Sequence, residues 1–128
     1  MKVEKESPFF HQTSQVLLRN LNALTGTTIL VINYPSDHFL LLLKERCAEK
    51  YVVGFTYNYT THLYAHALFR GATVPEHDLH YGAVCPIHQQ YDTVIVYLPK
   101  SQLLAKMILH MAATRLRLGG RLLLVGQN

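Results

Sequence analysis

No glycine lies between Gly26 and Gly54 in this chain of 128 residues, and no acidic residue follows Asp92. Long apolar runs are missing too. The longest, Phe39-Leu40-Leu41-Leu42-Leu43, stops at Lys44, far short of the ~20 residues that a membrane-spanning helix needs. The first residues, Met1 to Glu6, are charged and lead into no apolar signal segment. A cytoplasmic protein with no membrane partner is therefore expected. The two cysteines, Cys47 and Cys85, lack CxxC spacing, so both read as thiols, Cys47 as a small buried residue on a helix. No HExxH, Walker-type loop, Ser/His/Asp or Cys/His arrangement stands out among the residues.

What is present describes one globular domain. Apolar residues make up 49% of the chain and charged residues 16%, a balance that supports a core and excludes a disordered tail. Residues 1–12 read as a flexible lead-in and 13–128 as the folded unit. Thr13 or Ser14 can cap a first helix. Thr28–Ile32 is continuously apolar, as a strand covered on both faces would be. Ser36 or Asp37 can cap the next helix, which carries Phe39, Leu40, Leu43 and Cys47. A strand over Tyr51–Thr56 follows. A helix capped by Thr60 or Thr61 then runs to Phe69-Arg70, with Gly71 as its stop. A short strand is expected near Ala72–Val74, then a His-rich loop, a strand from Tyr91, a helix capped by Ser101, a Gly119-Gly120 turn and a last strand. Strands alternating with helices argue for an α/β fold with a mostly parallel sheet and helices on both faces.

Charge is distributed unevenly along the chain. The net charge is +4, and Lys100, Lys106, Arg115, Arg117 and Arg121 all follow the last acid. One reading is a polyanionic partner, because cations that neutralise phosphates release condensed counterions. The other is a solvated helix face with Arg115 and Arg117 complementing a helix C-terminus. His62 and His66 can share a helix face, with His77, His80, Cys85 and His88 following. Zinc needs three or four converging ligands at tight spacing, which this looser pattern does not supply. Phe55, Tyr57, Tyr59 and Tyr64, with His62 and Arg70, can stack on unpaired bases or serve as packing.

The stretch Asp92-Thr93-Val94-Ile95-Val96-Tyr97-Leu98-Pro99, followed later by Leu118-Gly119-Gly120-Arg121-Leu122, resembles the fourth and fifth strands of a class I methyltransferase. That likeness implies a Rossmann-like sheet of order 3-2-1-4-5. Binding of S-adenosylmethionine there needs a Gly-rich turn after strand one and a carboxylate at the end of strand two. Here Asn33-Tyr34-Pro35-Ser36-Asp37-His38 fills the turn, strand two runs out through Gly54-Phe55-Thr56-Tyr57, and Asp37 reads as a helix cap. Tyr97-Leu98-Pro99-Lys100 stands where base-directed amino-methyltransferases carry Asn/Asp-Pro-Pro-aromatic. No catalytic, cofactor or metal residue is expected in this degenerate copy.

Ser14–Arg19, Ile29–Val31, Asp92–Lys100 and Leu123–Asn128 together make the chain similar to the N-terminal domain of the ribosomal small-subunit RNA guanine-N2 methyltransferases. In that family two methyltransferase-like domains stand in tandem and only the C-terminal one is catalytic. The resemblance implies a piece of a longer protein, with S-adenosylmethionine held by the absent C-terminal domain. Its implied partners are 16S ribosomal RNA and that catalytic domain. The five cations named above are the candidate RNA-binding residues. Two rival readings stay open: an S-adenosylmethionine-binding methyltransferase with an atypical cofactor turn, and an interaction module whose basic surface meets an acidic protein.

Overall fold

The computed structural model describes residues 9–86 and 88–126. Residues 1–8 of the expected lead-in, Ile87, and the terminal Gln127-Asn128 lie outside the described residues. Five parallel strands form one sheet: β1 (Thr28–Ile32), β2 (Tyr51–Thr56), β3 (Leu79–Tyr81), β4 (Tyr91–Tyr97) and β5 (Leu116–Val125). Their order is β3-β2-β1-β4-β5, as the resemblance implied. Helices α1 (Gln12–Leu18), α2 (Phe39–Arg46), α3 (Tyr59–Gly71) and α4 (Gln102–Arg115) cover it.

The continuous apolar runs form strands because both faces of the sheet are buried. Alternate residues of β1, Ile29 and Val31, join Val52 and Ile95 in a core closed by Leu17 of α1, Phe39, Leu40 and Leu43 of α2, and Ala65 and Phe69 of α3. Their neighbours Leu30 and Ile32 join Val53, Phe55, Val94 and Val96 on the other face, closed by Ile108 and Ala112 of α4 and by Cys85. Three helices thus back one face and a single helix backs the other.

Several local expectations differ from the fold. His11 caps α1, its ring accepting from the Thr13 N–H at 3.3 Å; Thr13 and Ser14 lie inside the helix and are buried. Asn58, rather than Thr60 or Thr61, caps α3 by accepting from the Thr61 N–H at 3.1 Å. That helix runs through Gly71 to a C-cap at Ala72, and the left-handed residue beyond it is Thr73 (φ 59°). The third strand is Leu79–Tyr81, paired with Gly54–Thr56, and Ala72–Val74 is outside it. Cys47 is the half-buried C-cap of α2. Ser101 does cap α4, its hydroxyl accepting from the Leu104 N–H at 3.3 Å. Arg117 is in β5, not in the helix. Gly119-Gly120 makes a bulge within β5 rather than a turn ahead of it. Tyr91 pairs with Leu116 and Thr93 with Arg121, so the segment between must loop out, and Gly119 does so at φ +82°.

At the N-terminal end of the sheet the Asp92 carboxylate clasps the start of β1. It accepts from the N–H groups of Thr27 (2.7 Å) and Thr28 (3.2 Å) and pairs with Arg117 Nη1 at 2.6 Å. The Thr27 N–H bond is the main cause that holds its pKa below the ordinary range; the Thr28 bonds and Arg117 act in the same sense, against a smaller desolvation effect. A carboxyl depressed in the folded state stabilises the fold above its unfolded pKa of about 3.9, and that contribution is lost as pH falls through the folded value. Asp92→Asn is expected to lower the melting temperature at pH 7. The deficit should shrink as pH drops through the carboxylate range, and thermal melts across that range measure it.

Candidate functional site

In a parallel α/β sheet, ligands gather beyond the carboxyl ends of the strands where the strand order reverses. Here that point falls between β1 and β4. A cleft of about 190 Å³ opens there, lined by His11, Asn33, Pro35, Tyr97, Pro99 and Lys100 among others. Asn33 leaves β1 in the left-handed region (φ 62°), which asparagine tolerates better than most residues. Its backbone N–H donates to Phe55 O at 2.8 Å and its side-chain amide to Tyr97 O at 2.9 Å. The turn after β1 is thereby tied to both neighbouring strands.

Below the cleft lies a buried polar network. Asp37 Oδ1 accepts from the Phe39 N–H at 3.0 Å, which makes Asp37 the side-chain cap of α2's first turn. Oδ2 accepts from the His11 N–H at 2.9 Å and from Ser14 Oγ at 2.5 Å. Ser14 Oγ also lies 2.7 Å from the Tyr97 hydroxyl. A serine has one proton and gives it to the carboxylate, so the phenol donates to Ser14. Burial pushes the Tyr97 phenol well above its ordinary pKa, and the phenol stays protonated as a donor. Ser36, also expected to cap α2, instead bonds Thr61 Oγ1 at 2.9 Å.

The residues after β1 do not fit S-adenosylmethionine. Tyr34 turns inward, 4% exposed, into the core behind β1 and β2. A Cβ at Gly54 would stand 3.1 Å from the Tyr34 ring and 2.6 Å from Leu40. Gly54 therefore admits the chain's own tyrosine and leucine. At the end of β2, Thr56 Oγ1 accepts from the Asn58 N–H at 3.1 Å, where a ribose would require a carboxylate.

The five candidate cations are divided. Lys100, at the cleft, and Lys106, on α4, are exposed. Arg115 is buried: Nη2 donates to Cys85 O at 3.3 Å and Nη1 to Thr114 Oγ1 at 2.6 Å. Arg117 is spent on Asp92. Arg121 is exposed, with Nη1 3.5 Å from Ala23 O. A helix of 14 residues places roughly 21 Å between its ends, so Lys100 and the three arginines do not share one surface. Among the described residues no three His, Cys, Asp or Glu side chains converge as a metal site requires. Nor is any described helix long and apolar enough to cross a membrane.

The aromatic cluster divides as well. Phe55 is core, with Tyr57 edge-on at 4.9 Å. Tyr59 and Tyr64 are exposed on α3. Sequence reasoning missed Tyr81, whose ring lies 5.1 Å from Tyr59 and 5.5 Å from His62. Only the pairing of β3 with β2 brings it there.

Residues 14–128 match the family described as methyltransferase small domain N-terminal. The ribosomal RNA small subunit methyltransferase C of Shewanella sediminis is 36% identical over 117 residues, covering 90% of this chain and 32% of that protein. The protein of the same name from Shewanella pealeana is 38% identical over 116 residues, with the same coverage. The chain thus spans about a third of the length of these relatives. TrmN from Thermus thermophilus superposes with a TM-score of 0.66 at 17% identity, covering 88% of this chain and 37% of that one. Such structural neighbours make the fold that of the Rossmann-like class I methyltransferases.

The buried network can be tested without any ligand. Ser14→Ala leaves Asp37 Oδ2 and the Tyr97 hydroxyl each short of a partner. It is expected to cost about 1–3 kcal/mol, read as a lower denaturant midpoint at unchanged m-value.

Proposed function

This chain belongs to the methyltransferase small domain N-terminal family, and from that premise we propose that it is a non-catalytic domain of an rRNA (guanine-N2-)-methyltransferase. Its work is to grip the ribosomal RNA substrate and to support a catalytic domain, which holds S-adenosylmethionine. The observation that carries this reading is Tyr34 packed against Gly54 and Leu40, which puts protein where the fold family places its cofactor turn. A cleft remains at the strand-order reversal, but Tyr97 and Lys100 line it in place of a base-holding amide and aromatic. The names of the Shewanella relatives, each a ribosomal RNA small subunit methyltransferase, support RNA as the substrate class.

Among the candidate cations, Lys100 and Lys106 stand free at the surface and Arg121 is exposed. Arg115 and Arg117 have intramolecular duties. Phosphate contact therefore rests chiefly on the first three. The rival in which this chain itself uses the cofactor makes an opposite thermodynamic forecast.

Titration calorimetry with S-adenosylmethionine is expected to show no binding at micromolar concentrations; micromolar affinity would overturn the reading of Asn33–His38. Binding of the chain to a small-subunit rRNA fragment should weaken steeply with salt. Lys100→Glu and Lys106→Glu should each flatten the log–log slope by roughly one phosphate contact. Arg115→Glu should instead unfold the chain, seen as loss of the cooperative thermal transition, because its guanidinium is buried against Cys85.

A further inference from the structure

Tyr59 opens α3 and Tyr81 ends β3, so both sit at the carboxyl end of the sheet, the end that carries the cleft. The two residues are 54% and 45% exposed, and Leu63 and Tyr64 on the same helix are 50% and 37% exposed. Single exposed aromatics are ordinary, but a contiguous group of them marks an interaction surface. Tyr59 and Tyr81 meet at 5.1 Å with their planes 54° apart. His62 stacks behind Tyr81 at 5.5 Å and 29°, and His66 stands edge-on to His62 at 4.4 Å. Burial, followed by His66 and His80, lowers the His62 pKa, so the imidazole supports Tyr81 as a neutral ring.

The charges around these rings select the occupant. The Glu76 carboxylate accepts from His66 Nδ1 at 2.7 Å and from Arg70 Nη2 at 2.9 Å. The Asp78 carboxylate pairs with Lys44 Nζ at 2.8 Å and accepts from the Tyr51 hydroxyl at 3.1 Å. Both acids are thus engaged, Glu76 by His66 and Arg70 and Asp78 by Lys44. A polyanion meets no bare carboxylate here. The exposed apolar area is made largely of aromatic residues, with hydroxyls and imidazoles among them. That is the composition that holds unpaired bases, which stack on aromatic faces and hydrogen-bond at their edges.

We propose that Tyr59 and Tyr81, backed by His62, stack an unpaired base of single-stranded RNA. The proposal rests on the reading of this chain as an rRNA-binding domain and adds the form of RNA it takes. Strands β3 and β4 are three positions apart in the sheet, roughly 14 Å at the usual strand spacing. One RNA strand can therefore touch both the aromatic pair and Lys100.

The test uses the 128-residue chain and two probes, an unstructured RNA single strand of about ten nucleotides and a duplex of equal length. The single strand is expected to bind more tightly. Tyr59→Ala and Tyr81→Ala should each weaken it about 10-fold while leaving the salt slope unchanged, since no phosphate contact is lost. Tyr59→Phe should bind like the parent. Tyr59→Leu keeps the apolar bulk without the ring and should bind as weakly as the alanine variant, which separates stacking from a folding defect. Equal binding of both probes, with no effect of the tyrosine variants, overturns the stacking site; a steep salt slope in the parent then leaves RNA binding standing. Absence of binding by the parent at low salt overturns both. Self-association that Tyr59→Ala abolishes, with RNA binding untouched, would assign the surface to a second copy of the chain and overturn the proposal.

Discussion

The Asp37 carboxylate is the constraint on which this end of the molecule depends. It is 7% exposed and takes hydrogen bonds from His11, Ser14 and Phe39. A buried carboxylate is tolerated only when its lone pairs are filled, and charge-assisted bonds of this kind are the stronger ones. The three donors come from the segment before α1, from α1 itself and from the first turn of α2. Through Ser14 the network reaches Tyr97 at the end of β4. Helix α1 is therefore held against the sheet by polar chemistry as well as by Leu17, and the turn from β1 into α2 has its far end fastened.

That fastening determines what the carboxyl end of the sheet can hold. With Asn33 bound to Phe55 and Tyr97 on one side and Asp37 anchored on the other, the residues between them have little freedom. Tyr34 goes inward against Gly54. The turn after β1 thus carries a tyrosine that packs into the core, and the gain is burial of a large aromatic.

The opposite end of the sheet is organised by a second aspartate. Asp92 gathers the Thr27 and Thr28 amides and Arg117, while Arg115 turns in toward Cys85. Two of the five cations that make the last third of the chain basic thus act within the fold. A run of like charge in sequence becomes a binding surface only for the members whose side chains face solvent without a carboxylate beside them. In this chain Lys100 at the cleft and Lys106 on α4 lie at Tyr81's end of the sheet, whereas Arg121, paired with Thr93, lies at Arg117's.

Strands β1, β2 and β4 and the Ser101 cap were legible because each depends on local features: an apolar run of strand length, or a hydroxyl three residues before a free N–H. The parallel sheet followed from the alternation of strands with helices, and the strand order from the resemblance of Asp92–Pro99 and the Gly-Gly stretch to a known fold. Strand β3 was misplaced because three residues in a polar stretch carry no periodicity, and only pairing with Gly54–Thr56 makes Leu79–Tyr81 a strand. The caps at Ser14, Ser36 and Thr61 were misread because each of these residues found a distant partner, Asp37 and Tyr97 for Ser14 and each other for Ser36 and Thr61. Composition and pattern therefore determined the class of fold and the absence of a glycine turn. Tertiary structure alone decided which cations stay free, and it alone set Tyr81 beside Tyr59, because both depend on contacts between residues far apart in the chain.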